Sequence, residues 1–344
     1  MNRRSYLRLM MGTAAAVPAS ASIISAFAQS SPALLPRGRA IQAIIGSAIG
    51  GGNDLVARTT LQLLGEVLPG KPKFEIKDMA GGDGLAATNF LFNASPERLT
   101  LGFLGRAFPV AQLMQNPAAH FDARRFEWIG SLGDDDDILT VRADTGITSI
   151  DQLVKTTKPV RFGGALKSAM LYMMPECLRR DTKGNFESIA GAGTTAATVI
   201  QALERGEIQG IWEKYQSLVR SHPDWLKPGG FLNILARRGK LRDLPGVPFI
   251  NDYLSERSKS IVALADLSWG NPCCVPPGTS PDLVALLRDA FEHAVADPRL
   301  RAMAEKQHAV VNPIHADELR AIVEATLSTP DEVVRDFKEI AGLV

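Results

Sequence analysis

An apolar run, a cluster of glycines and an amphipathic helix follow one another, and the same succession returns several times along the chain. The first copy sets Ile41, Ala43, Ile44, Ile45 and Ile49 before Gly50, Gly51, Gly52, Asn53 and Asp54. Ala57, Leu61, Leu64 and Leu68 then recur at helical spacing until Pro69 and Gly70 stop the helix. This spacing predicts a buried strand reaching Ile49, a loop and a helix. The second copy alternates polar and apolar residues over 73–77, continues through Ala80, Gly81, Gly82, Asp83 and Gly84, and enters a short helix with Leu85, Ala86, Phe90 and Leu91. A third apolar run, 99–104, ends at Gly105 and Arg106. Strands alternating with helices imply a parallel sheet with ligand-facing loops at the carboxyl ends of its strands. A glycine loop at a helix start offers backbone N–H groups and the positive end of the helix dipole, which attract a carboxylate or phosphate.

The middle of the chain repeats this grammar. Residues 138–141 predict a strand, and Ser149 with Gln152 predicts a capping box for a helix from Ile150. Residues 160–162 lead into Gly163, Gly164 and Ala165, with a helix beginning near Ser168. Residues 186–190 lead into Gly191, Ala192, Gly193, Thr194 and Thr195, with a helix to Leu203, and 208–212 form a further strand. Two sets of glycine loops imply two α/β lobes facing each other. The chain is expected to cross near 137–141 and return near 260–266, giving one lobe of 38–138 with 263–344 and a second of 139–262. From Ser280 onward the pattern is nearly all helix, with Ser280 and Pro281 at the N-cap and first helical positions, covering the first lobe.

The first residues stand outside this scheme. Asn2, Arg3, Arg4, Ser5, Tyr6, Leu7 and Arg8 make a basic stretch with paired arginines, 9–24 is uncharged, and Ala26, Phe27 and Ala28 offer a small-x-small cleavage site. The paired arginines resemble a twin-arginine export signal, with a retained membrane anchor as the alternative. Residues 1–28 are therefore expected to be removed from a soluble, periplasmic protein. No later segment approaches the ~20 apolar residues of a membrane span. Loss of three arginines and no acid takes the 38 basic residues to 35 against 37 acidic ones. That balance argues against nucleic acid as a partner. Cys177, Cys273 and Cys274 form no disulfide framework. They read as buried thiols, with a bridge from Cys177 to one of the others left open.

The familiar catalytic signatures are missing. No lysine follows the first glycines as a phosphate loop requires, and Leu55 stands where the dinucleotide fingerprint needs its third glycine. No G-x-S-x-G elbow occurs. His120, His222, His293, His308 and His315 are scattered, without the pairing a zinc site shows. Asp134, Asp135, Asp136 and Asp137 lack the alternating spacing of a calcium loop and read as a solvated turn. No cofactor and no metal are expected.

Capture of a small carboxylate fits better. Charge-assisted hydrogen bonds contribute about 1.5–3 kcal/mol each, so three or four hold a ligand in the micromolar range after ordering costs. Asn53, Asp83, Ser168, Thr194 and Thr195 are placed to set selectivity. Asp54 either caps its helix or meets the ligand, and Arg58 is spaced to pair with it across one turn. Lys167 is either a surface residue or the partner of a second carboxylate, and Arg106 ends the third strand at the same edge. Trp212 is either core or a flat ligand wall. Glu213 suits an amino group or a cation.

The residues 50–58 (GGGNDLVAR) and 78–84 (DMAGGDG) resemble the Bug (TctC-like) family of extracytoplasmic solute receptors, which serve tripartite tricarboxylate transporters. The likeness continues in 127–131 (EWIGS), 204–210 (ERGEIQG) and 276–281 (PPGTSP). It implies a periplasmic binding protein type II-like fold, two α/β lobes joined by a hinge with the ligand cleft between them. It also implies a ligand cage of Gly51, Gly52, Asn53, Asp54, Gly81, Gly82 and Asp83 from one lobe. Gly163, Gly164, Lys167, Ser168, Gly193, Thr194 and Thr195 would complete it from the other. The expected function is delivery of a small organic acid to membrane permease subunits, by a monomer and a non-enzyme. An enzyme using Asp54, Asp83 or Glu213, or a receptor presenting its ligand to a membrane sensor, are the alternatives. The chain departs from the family pattern at Ile49, usually proline, at Asn53, often Thr, Ser or Tyr, and in 164–168 (GALKS), which lacks the usual glycine-rich texture.

Overall fold

The computed structural model describes residue 35 and residues 40–343, apart from 48, 51, 83, 134–136, 194–195, 239–243, 267–268 and 307–310. The expected export signal and the aspartates 134–136 lie outside these residues. The strands are β1 Ile41–Ile45, β2 Phe74–Asp78, β3 Thr100–Phe103, β4 Glu127–Gly133, β5 Asp137–Arg142, β6 Val160–Gly164, β7 Phe186–Ala190, β8 Gly210–Lys214, β9 Leu232–Arg237, β10 Asn271–Val275 and β11 Asn312–His315. They form two sheets, ordered β11-β4-β10-β3-β1-β2 and β7-β6-β8-β5-β9. In the first, β1 lies between parallel β2 and β3. In the second, β6 lies between parallel β7 and β8.

Helices follow the strands as the alternation requires: α1 Gly52–Val67, α2 Leu85–Phe92, α3 Phe108–Leu113, α4 Ile150–Lys155, α5 Met170–Thr182, α6 Ala196–Glu204, α7 Tyr215–Ser221, α8 Glu256–Ala265, α9 Pro281–Ala296, α10 Pro298–Lys306, α11 Ala316–Leu327 and α12 Asp331–Ala341. The predicted caps form. The Ser149 side chain accepts from the Gln152 N–H while the Gln152 Oε1 accepts from the Thr148 N–H, and Ser280 accepts from the Leu283 N–H. Among the described residues no helix is long and apolar enough to cross a membrane.

Each sheet is buried on both faces. Ile41, Ala43 and Ile45 of β1 pack in one cluster with Leu61 and Leu64 of α1, while Ile44 packs in another with Leu85 and Trp128. This division is the period-2 alternation of a central strand.

Four expectations are corrected. The first strand ends at Ile45 and Ile49 is 72% exposed. Gly46 still extends the ladder, its N–H donating to the Phe103 carbonyl, and the chain then bends at Ser47 and turns through Ile49 and Gly50. The strand expected at 208–212 is shifted two residues to Gly210–Lys214. The C-terminal helix belongs to the second lobe: Val333, Phe337 and Ile340 of α12 pack in one cluster with Leu139, Phe162 and Ile261. Those apolar residues recur at helical spacing and need a covering face, which α8 provides, and Arg257 of α8 pairs with Asp336 of α12. The chain therefore crosses between lobes a third time, at 328–330. Finally, Asp137, read as part of a solvated turn, opens β5, is buried and pairs with Arg238. The cysteines are the buried, free thiols expected. Cys177 lies in the core of the second lobe, while β10 turns Cys273 and Cys274 into two separate clusters of the first, so Cys177 has no partner within reach for a bridge.

Candidate ligand-binding site

Strand direction decides which loops face the gap between the lobes. β10 runs antiparallel to both β3 and β4, so β4 runs with β1–β3 and leaves the sheet at Gly133 on their carboxyl edge. The chain enters the second sheet at Asp137, whose register partner is Lys214 at the end of β8. β6 and β7 run with β8, so their following loops share that edge. Both sets of carboxyl-end loops thus flank the interlobe crossing.

In the first lobe three of these loops converge on glycine. A Cβ on Gly84, where φ is +85°, would stand 3.0 Å from the Gly105 Cα, and one on Gly46 would stand 3.1 Å from the Gly105 nitrogen. Side chains at these points would drive the loops after β1, β2 and β3 apart. Gly81 and Gly82 are exposed, as is Asn53 in the first turn of α1, and Arg106 is half-buried beside the end of β3. Gly51 and Asp83 lie outside the described residues; Gly52 opens α1.

Asp54 is only 1% exposed and is turned inward. One carboxylate oxygen accepts the Gly50 N–H at 2.9 Å, and both accept from Arg58 Nε at 2.9 Å. The same guanidinium donates to Asp78 at the end of β2. The hydrogen bond from Asp54 raises the Arg58 pKa despite partial burial, and Asp78 adds to it. Asp54 is thus neither a simple helix cap nor free to face a ligand; with Arg58 it ties the first glycine loop to the second.

The glycines of the second lobe serve helix packing. A Cβ on Gly163 would fall on Ile208, and one on Gly164 would stand 2.8 Å from the Tyr172 Cβ. Both are buried, which lets the first turn of α5 approach β6. The Gly191 and Ala192 N–H groups donate to the Ala165 and Gly164 carbonyls at 3.2 Å, joining the loops after β6 and β7. A Cβ on Gly193 would stand 2.5 Å from Val199 N in α6. Ser168 is half-buried; Thr194 and Thr195 lie outside the described residues. Lys167 is exposed and runs beside Gly342, where its positive charge meets the negative end of the α12 dipole.

Trp212 is fully buried among Leu139, Phe162 and Met174, so it is core and not a ligand wall. The alternation of β8 turns Glu213 to the opposite face, where it is buried and accepts the Lys214 N–H at 2.8 Å. Sequence reasoning missed Arg238, which donates to Asp137 and to Asp266 at the two connections between the sheets. The partners are 101 and 28 residues away, and no local pattern signals them.

A cavity of about 490 Å³ lies where α3, α8, α11 and 328–330 meet, lined by Val110, Leu264, Trp269, Ile322 and Pro330 among others. Asp266 and Trp269 of the returning connection also line it, and its walls contain none of the glycine loops. Among the described residues no group of three His, Cys, Asp or Glu is placed to hold a metal ion.

No family model matches the chain. A curated relative from Cupriavidus necator, "UPF0065 protein in gbd 5'region", is 25% identical over 315 residues, covering 89% of each chain. A solved TctC solute-binding protein from Polaromonas superposes with a TM-score of 0.70 at 19% identity, over 89% of this chain and 99% of that one. The fold is that of the TctC and Bug periplasmic binding proteins. BugD matches with a TM-score of 0.55 at 18% identity, over 89% and 98%. An R. palustris protein solved with adipate matches at 0.55 and 15%, again over 89% and 98%. The two-lobed fold implied by the resemblance to the TctC-like family is therefore present, with both carboxyl-end loop sets at the interlobe edge.

Proposed function

We propose that this chain is a periplasmic solute-binding protein that captures a small organic carboxylate between its lobes and delivers it to tripartite tricarboxylate-type permease subunits. The observation that carries this reading is the convergence of helix-start glycine loops from both sheets on one interlobe edge. Backbone N–H groups and helix dipoles there hold an anion without a buried cationic side chain. A ligand touching both lobes stabilises the closed arrangement by its extra contacts in that state. The adipate held by the R. palustris protein of the same fold supports the choice of carboxylates. The receptor neighbours support a binding role over an enzymatic one. The catalytic alternative is weakened by Asp54, whose carboxylate is taken up by Gly50 and Arg58.

Differential scanning fluorimetry of the mature chain against malate, adipate, glutamate and short monocarboxylates tests the reading. A rise in melting temperature with at least one acid, confirmed by calorimetry, is the expected outcome. No rise with any of them removes the carboxylate assignment. Gly52→Pro, in the first turn of α1, is expected to abolish that rise.

A further inference from the structure

Large apolar side chains standing well out of their surroundings are few among the described residues: Ile49, Leu166, Phe249 and Leu343. Phe249 lies under the Arg237 guanidinium, 4.2 Å from ring centre to charge, and Leu343 follows the last helix. Ile49 and Leu166 are the most exposed, at 72% and 66%. Ile49 follows β1 and Leu166 follows β6. In the order of the two sheets, β1 lies between β3 and β2, and β6 lies between β8 and β7. The two residues thus occupy corresponding places, each in the loop after the central strand of a parallel trio, one on each lobe. Both loops belong to the proposed ligand edge.

Single exposed aliphatics are ordinary on a protein surface. Two at corresponding points of the two lobes, each in a loop of the proposed ligand edge, are a paired feature. Each stands beside the polar part of its loop, Ile49 before the glycine run and Leu166 after Gly164. In a closed arrangement, an anion held at the helix starts would direct its remaining atoms towards these two side chains.

We propose that Ile49 and Leu166 are specificity-determining residues that close on the apolar body of the solute, so that the preferred ligands are carboxylates bearing an alkyl chain. This rests on the carboxylate reading above. Each methylene enclosed between them adds burial, equivalent to about two- to fourfold in affinity.

Isothermal titration calorimetry with butanoate, hexanoate, octanoate and malate tests it on the mature protein and on the double variant Ile49→Asn/Leu166→Asn. The expected result is affinity rising with chain length in the wild type. In the double variant the series flattens, with octanoate losing at least fivefold more than malate. Both positions are exposed, so folding is expected to persist; the single variants Ile49→Ala and Leu166→Ala each give a partial flattening. Binding of malate with no gain along the alkyl series overturns the proposal and leaves the carboxylate reading standing. An equal loss for octanoate and malate also overturns it, because it assigns the pair to contact between lobes. Binding by none of the acids overturns the carboxylate reading itself.

Discussion

Arg238 is bonded twice to Asp137: its N–H donates to the Asp137 carbonyl at 2.8 Å, and its guanidinium donates to the Asp137 carboxylate. The second arm of the guanidinium donates to Asp266. Asp137 opens β5 on the outgoing connection, and Asp266 follows α8 on the returning one. One cation therefore gathers both connections on the second lobe. On the first lobe the same connections meet at Gly133 and Gly270, and Ser131 donates its hydroxyl to the Trp269 carbonyl.

Removing the cation from this clamp leaves two carboxylates without it. Burial disfavours the Arg238 charge, yet Asp137 and Asp266 outweigh it and raise its pKa. Arg238→Met is expected to cost about 2–3 kcal/mol, read from the urea midpoint, since breaking a largely buried pair strands the remaining charge. Spin labels on the two lobes should show a broader distance distribution. Adding Asp266→Asn should recover part of the lost stability; no recovery would assign the loss to the packing of the guanidinium over the Trp212 ring, 6.0 Å from its centre.

Gly270 has φ of +73°, and a Cβ there would fall on the Leu132 carbonyl and stand 2.7 Å from the Gly133 Cα. Gly270→Ala is expected to destabilise by about 2 kcal/mol through backbone strain and this clash. A thermal melt checks it, with Gly229→Ala as a comparison. Gly229 shares the positive φ but has open space around its Cβ position, so the clash is absent there.

The tie from Asp54 through Arg58 to Asp78 links the two glycine loops of the first lobe. Arg58→Met removes its charge-assisted hydrogen bonds, and amide exchange over 79–82 is expected to speed up in the ligand-free protein. Affinity for the best carboxylate is expected to fall about tenfold, a loss of about 1.4 kcal/mol in loop preorganisation. Unchanged exchange over 79–82 would separate Arg58 from the second loop.

Trp212 fills the core of the second lobe, and a smaller ring there leaves a void. Trp212→Phe is expected to lower stability by about 1–2 kcal/mol with ligand affinity within about twofold of the wild type. A large affinity loss at unchanged stability would return Trp212 to the ligand wall.

Acid should loosen α12 from its lobe. The hydrogen bond from Arg257 holds the Asp336 carboxyl below the usual aspartate range, against a smaller opposing effect of burial. A carboxyl depressed in the folded state contributes fully above its unfolded pKa of about 3.9, and that contribution is lost as pH falls through the folded value. The protection of the 331–341 amides, taken relative to their intrinsic exchange rates at each pH, should therefore fall on acidification below about pH 4 in the wild type. Asp336→Asn should be less protected throughout and respond less to the same step.

Much of the fold was legible along the chain. The alternation of β1 and β2, the helical spacing of α1, the caps at Ser149 and Ser280 and the position of each glycine loop follow from residues a few places apart. Local periodicity and turn chemistry encode such features directly. Even the edge on which the loops lie follows from strand–helix alternation, because parallel strands place their carboxyl ends together.

The remaining decisions depend on residues distant in sequence. Whether Trp212 faced a ligand or a core was settled by Leu139, Phe162 and Met174 closing around it. The lobe that α12 joins was decided by the apolar face of α8, and the inward turn of Asp54 by the position of Gly50 together with the bracing of Arg58 by Asp78. Ile49 reads as the end of a buried strand, but the bend at Ser47 takes the chain out of the sheet before it. The sequence by itself determined the two-lobed α/β architecture and where its glycine loops occur. Only the tertiary structure decided which polar groups are consumed in holding those loops and which side chains still face the cleft, because desolvation and ion pairing act between residues up to 101 positions apart, as Arg238 and Asp137 are.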